Sequence, residues 1–179
     1  MSSIDPEVRA RLISSLEESD ASRREARADR IIWMGKHNRR PSMILGSPET
    51  LGALQEAEDA YREGQFISVI LLALAVIEHE LVDALVGRSL ATYGVKAKEA
   101  TDLARQHQVL DGALLNRIDK LRLVRNPFVH RKAPDNPHTY GNRYIARKMH
   151  PKKLLEEDAQ EAFQVMHIVF RALLRPVSS

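Results

Sequence analysis

The segment FISVILLALAVIEHELVDALV, residues 66–86, decides the fold. From Phe66 to Ile77 it carries no charge, and aliphatic side chains occupy every turn. A membrane-spanning helix needs about 20 consecutive apolar residues. Glu78, His79, Glu80 and Asp83 interrupt the run well before that length, so no membrane association is expected. The segment reads as a central helix, buried on most sides by its own domain and open to burial by a partner.

Upstream, Ser47-Pro48-Glu49 is a helix start: a capping hydroxyl, proline at the first helical position, then an acid. Leu51, Leu54, Ala57 and Tyr61 follow at helical spacing, and Gly64 ends the segment. Asp5-Pro6-Glu7 repeats the start signal nearer the N-terminus, and Val8, Leu12, Ile13 and Leu16 form a stripe after it. Residues 17–30 are densely charged and read as an exposed helix or a loosely attached one. Ile31 to Met34 form an apolar cluster that should dock on something. Residues 35–46, with Asn38, Arg39, Arg40 and Pro41, read as a connection.

Downstream, residues 87–94 are a break, and Lys96 to Gln108 is a short polar helix. Asp111 can cap the next helix, whose stripe is Leu114, Leu115, Ile118, Leu121 and Val124. Residues 133–151 read as a proline-containing loop, and Leu154 to Leu174 as a last helix. The two candidate strands, Met43–Leu45 and Tyr144–Ala146, are too short to build a sheet. The class is therefore all-α: an antiparallel helical bundle over 47–179 with an N-terminal helical extension over 1–46.

Composition narrows the chemistry. Of 179 residues 44% are hydrophobic, enough for a real core. There is no cysteine, which excludes disulfides, thiolate metal sites and cysteine nucleophiles. That fits a reducing compartment, and no secretory signal opens the chain, so a cytoplasmic protein is expected. Neither a Gly-rich phosphate loop nor a Ser-His-Asp constellation appears, and no cofactor is expected.

Where the helix from Leu114 ends, the chain reads Leu121-Arg122-Leu123-Val124-Arg125-Asn126-Pro127-Phe128-Val129-His130. Arginine and histidine together suit phosphodiester chemistry. The guanidinium holds phosphate oxygens and stays charged, and the imidazole moves a proton near neutral pH. Pro127 removes a helical hydrogen bond and is expected to kink the rod. On a straight helix Arg125 and His130 would lie about 140° apart, so a kink or a second subunit would have to complete a site. The plainer alternative is a helix end: Asn126-Pro127 as a breaker, Arg125 in a surface ion pair and His130 solvated.

Charge is concentrated here. Residues 121–153 hold nine Lys and Arg against one acid, Asp135, although the whole chain is only +3. Tyr140 and Tyr144 are interleaved with them. Cations along phosphates and rings under bases suit single-stranded nucleic acid, with Arg122, Arg131, Lys132, Arg143, Tyr144, Arg147 and Lys148 as contacts. The alternative is a solvated loop balanced by Glu156, Glu157, Asp158 and Glu161. No recognition-helix pattern supports a DNA-binding regulator.

Glu78-His79-Glu80 invites a metal reading, but adjacent helical residues point in different directions, and no metal site is expected. Glu78 matters more as a single carboxylate. On a buried helix it needs a partner, and Arg122 or Arg125 would serve. Otherwise it lies on an exposed stripe with Asp83 and Arg88.

Arg125-Asn126-x-x-x-His130 at a helix junction in a small all-α chain resembles the HEPN superfamily. The resemblance covers residues 48–174, with Tyr61, Gly64, Phe66, the aliphatic run and Glu78 in the earlier hairpin. It implies a helical bundle that forms a homodimer and brings two motifs into one cleft. It also implies a metal-independent endoribonuclease acting on RNA, of the toxin or antiviral-effector kind, with a cognate antitoxin or other partner protein. Carried over, Arg125 and His130 are catalytic, Asn126 assists, and Glu78 is an orienting acid. The same resemblance admits a non-catalytic module that dimerises or binds RNA or a protein.

Overall fold

The computed structural model describes residues 5–37 and 47–173. The candidate strand Met43–Leu45 and most of the expected connection lie outside them. Seven helices and no strand occur among the described residues: α1 Pro6–His37, α2 Pro48–Glu63, α3 Phe66–Val86, α4 Ala97–Gln106, α5 Gly112–Val129, α6 Tyr140–Arg147 and α7 Pro151–Leu173. The chain is an all-α helical bundle with an N-terminal helix. It divides into compact units over residues 1–36 and 37–179.

Helix α1 is one continuous rod. The Asp5 carboxylate accepts the Glu7 N–H at 2.9 Å and starts it. Its surface carries i, i+3 and i, i+4 pairs such as Asp20–Arg23 at 3.2 Å and Glu7–Arg11 at 3.8 Å. Val8, Leu12, Ile13 and Leu16 are exposed along it, and so are Ile31 and Ile32.

The second unit is built around α3, which packs most extensively on α7 and α2 and less on α4 and α5. Local chemistry sets the helix ends. The Ser47 hydroxyl accepts the Thr50 N–H at 3.2 Å and caps α2. Gly64 closes α2 at φ 74°, a conformation that costs glycine little, and α3 begins two residues later. So short a link between helices that pack on each other makes them an antiparallel hairpin. Asp111 caps α5 by accepting from Ala113 and Leu114 at 2.8 and 3.3 Å.

One face of α3 supplies Ile70, Leu74, Ile77, Leu81 and Leu85, all fully buried. Leu115 and Ile118 of α5 and Leu154, Phe163 and Met166 of α7, helices that pack on α3, are fully buried as well. Each such side chain contributes about 1.5–3 kcal/mol. Tyr61 is the hub between α2 and α7. Its ring lies 5.4 Å from Phe163, and its hydroxyl accepts from Gln160 Nε2 at 3.0 Å.

Residues 133–151 depart from the expected loop, because 140–147 form α6 and absorb the candidate strand Tyr144–Ala146. The Thr139 hydroxyl caps the helix by accepting from Asn142 N–H, and Lys148 ends it at φ 48°. None of its residues is buried. Polar contacts hold it instead. Arg143 grips Asp158 of α7 through two hydrogen bonds of 2.7 and 2.6 Å, and Arg147 reaches Glu157 at 2.9 Å. The Tyr140 ring lies 6.1 Å from Phe128 of α5. Asn142 Nδ2 donates to the Pro134 and Asn136 carbonyls at 2.7 and 2.9 Å, which folds the preceding turn onto the helix.

A helix of eight residues without a buried side chain does not stand alone in water. Arg143→Ala should therefore release α6 locally. Amide hydrogen exchange over residues 143–147 is expected to quicken roughly tenfold or more, with global stability falling by no more than about 3 kcal/mol. Unchanged protection of α6 in the variant would show that the Arg143–Asp158 pair is not its anchor.

Candidate functional site

The end of α5 carries the arginine–histidine motif. Pro127 does not break the helix, which runs two residues further to Val129. The proline sits in the last turn, so it withholds only one N–H, the one that Leu123 carbonyl would have accepted. The His130 N–H then closes the helix on the Asn126 carbonyl at 2.8 Å. His130 itself leaves the helix in extended conformation, at φ −127° and ψ 126°. The angular separation expected on a straight helix does not describe it. Its side chain is exposed, and among the described residues the imidazole has no hydrogen-bond partner.

Arg125 is held from the opposite direction. Its Nη2 donates to Glu78 Oε1 at 2.7 Å, tying α5 to α3. The side chains are 18% and 27% exposed, enough shielding for charge to count and enough access for a ligand. One guanidinium nitrogen is engaged in this bond, which leaves donors on the others. Asn126 is half-buried beside it. Arg122 is not the partner of Glu78. It lies 3.4 Å from Asp119, which also receives Arg105 at 2.8 Å.

The residues Glu78-His79-Glu80 diverge. Glu78 faces Arg125, and His79 is exposed with Nδ1 3.5 Å from the Thr50 hydroxyl. Glu80 is buried. Among the described residues no three His, Asp or Glu side chains are grouped to hold a metal ion, and no helix is long and apolar enough to cross a membrane.

No family model, curated protein or solved structure matches this chain.

Of the nine cations in residues 121–153, four are matched by acids from outside that window: Arg122 by Asp119, Arg125 by Glu78, Arg143 by Asp158 and Arg147 by Glu157. Arg131, Lys132, Lys148, Lys152 and Lys153 form no ion pair among the described residues. Tyr144 packs edge-on against Tyr140 at 5.6 Å. Phe128 of the motif and Tyr140, one of the two interleaved tyrosines, meet ring to ring at 6.1 Å, a contact between α5 and α6 that residue types alone do not reveal.

Glu80 is a carboxylate without an ion pair among the described residues. Burial first, and then Asp83 three residues on, push its pKa up from 4.5 to about 7. A raised folded-state value means that the folded protein holds this proton more tightly than the unfolded chain. Stability through this group is therefore lost as pH rises from 4.5 to about 7, and it stays low above that. Glu80→Gln should match the wild type near pH 4.5 and exceed it at pH 8 by up to roughly 3 kcal/mol in urea unfolding. A difference independent of pH would contradict the assignment.

Proposed function

We propose that this chain is a metal-independent endoribonuclease of HEPN type that acts as a homodimer. The observation that carries the reading is the pairing of roles at the end of α5. Arg125 is fixed by Glu78, and His130, five residues on, leaves the helix with its imidazole exposed. Leu123, two residues before Arg125, and Val129, next to His130, are exposed apolar side chains that offer surface to a second copy. The unpaired cations that follow His130 offer a path for a phosphate backbone.

RNA carries its own nucleophile. Its 2′-hydroxyl attacks the adjacent phosphorus, and the neutral His130 imidazole of one subunit takes the proton. The P–O5′ bond breaks, and the protonated His130 of the other subunit gives its proton to the leaving oxygen. A cyclic 2′,3′-phosphate and a free 5′-hydroxyl result. Arg125 faces the extra negative charge on the phosphorane-like transition state, where a fixed cation lowers the barrier. Glu78 acts through Arg125: it limits the rotamers of the guanidinium and reaches no substrate atom. Asn126, next to it, offers an amide donor to the same phosphate.

Incubating RNA with the protein and excess chelator tests the reading. Wild type should cleave, and His130→Ala should lower the rate about 10²–10⁴-fold, the usual worth of a general acid or base. Equal cleavage by both proteins would remove His130 from the chemistry. Salt-sensitive RNA binding by a wild type that never cleaves would assign the fold to a binding module instead.

A further inference from the structure

The N-terminal turns of α3 and α7, the residues just before them and the first residue of α6 line an open surface cavity of about 460 Å³. Its walls are apolar and partly aromatic: Phe66 and Ile67 from α3, Tyr140 from α6, Pro151 and Leu155 from α7. Gln65, Ser68 and Tyr140, residues whose side chains can hydrogen-bond, are also part of the lining. His150 and Lys152 complete the lining with a titratable ring and a cation. This volume lies within the roughly 300–1,000 Å³ of small-molecule sites, and an apolar, partly aromatic lining with a few polar residues suits a planar heterocycle.

Two features choose the occupant. Lys152 forms no ion pair among the described residues, and Lys148 and Lys153 nearby form none either, so an anionic chain is favoured at this opening. The Tyr140 wall is also the ring 6.1 Å from Phe128, two residues before His130. Aromatic contact thus runs from the cavity to the motif.

We infer that the cavity receives one unstacked base of a single-stranded RNA whose backbone continues toward His130. The inference rests on the RNA reading given above and extends it, by making a flexible single strand, with a base free to turn out, the preferred substrate. A base in a duplex is stacked and paired and cannot enter. Tyr140 supplies a face for stacking, Gln65 and Ser68 read base edges, and Lys152 faces the adjoining phosphate.

The test measures binding rather than cleavage. A fluorescein-labelled five-nucleotide RNA is compared by anisotropy with the same strand lacking its central base. Wild type should bind the intact strand about tenfold more tightly, in line with the worth of one stacked base. Leu155→Trp fills the cavity from α7 and should bring both strands to the same weaker affinity. Ile67→Trp fills it from α3 at an exposed position, and serves if the first variant does not fold by circular dichroism. Equal wild-type affinity for the two strands, no binding of either, or an undiminished difference in the filled variants would overturn the pocket. Cleavage with equal affinities would leave the nuclease standing without the pocket. Base-dependent binding without cleavage would leave the pocket standing without the nuclease.

Discussion

The contact between Arg125 and Glu78 is the constraint from which the rest of the site follows. It joins the central helix to the helix that carries the motif, at a depth where neither charge is fully hydrated. An unpaired carboxylate there would give up part of its hydration with nothing in return. A lone arginine would be free to swing through its rotamers. Together they fix one guanidinium nitrogen and leave the others available. The extended residue at His130 then departs from a helix end whose position is already set by α3. The helix survives Pro127 because the proline falls in the last turn, where the loss is one hydrogen bond.

A second layer is held by polar chemistry as well. Helix α6 buries nothing, yet two hydrogen bonds from Arg143 to Asp158 and one from Arg147 to Glu157 place it against α7. These pairs change what the basic window can do. Four of its cations are taken up in building the fold, and the remaining five fall in two groups, one directly after His130 and one at the α6–α7 junction. The electrostatic attraction for an anionic polymer is therefore smaller than the sequence count suggests, and more localised.

Much of the bundle was legible in the sequence because its signals are local. Ser47, Gly64 and Asp111 cap helices through atoms within three or four residues of themselves, so spacing alone locates them. The uncharged run of α3 announces burial without needing a partner. Helix α6 was not legible, since its inward face is Tyr140, Arg143, Tyr144 and Arg147 rather than aliphatic side chains. A search for apolar periodicity passes over it, although Thr139 and the i, i+3, i+4, i+7 spacing of those four residues carry the signal. For Glu78 the sequence offers two partners, Arg122 and Arg125. Those arginines lie three apart on one side of the same helix, and only the way α5 packs on α3 chooses between them. That His130 leaves the helix is a backbone fact, which residue types near a proline do not determine.

A double-mutant cycle on stability tests the central constraint most directly, with Glu78→Ala, Arg125→Ala and the double variant unfolded in urea at neutral pH. If the pair fixes α5 on α3, the two single losses should exceed the double loss by about 1–2 kcal/mol, the range for side chains in contact. Losses that add to within about 0.5 kcal/mol would mean that the two groups do not sense each other, and the site would lose the support on which its geometry rests.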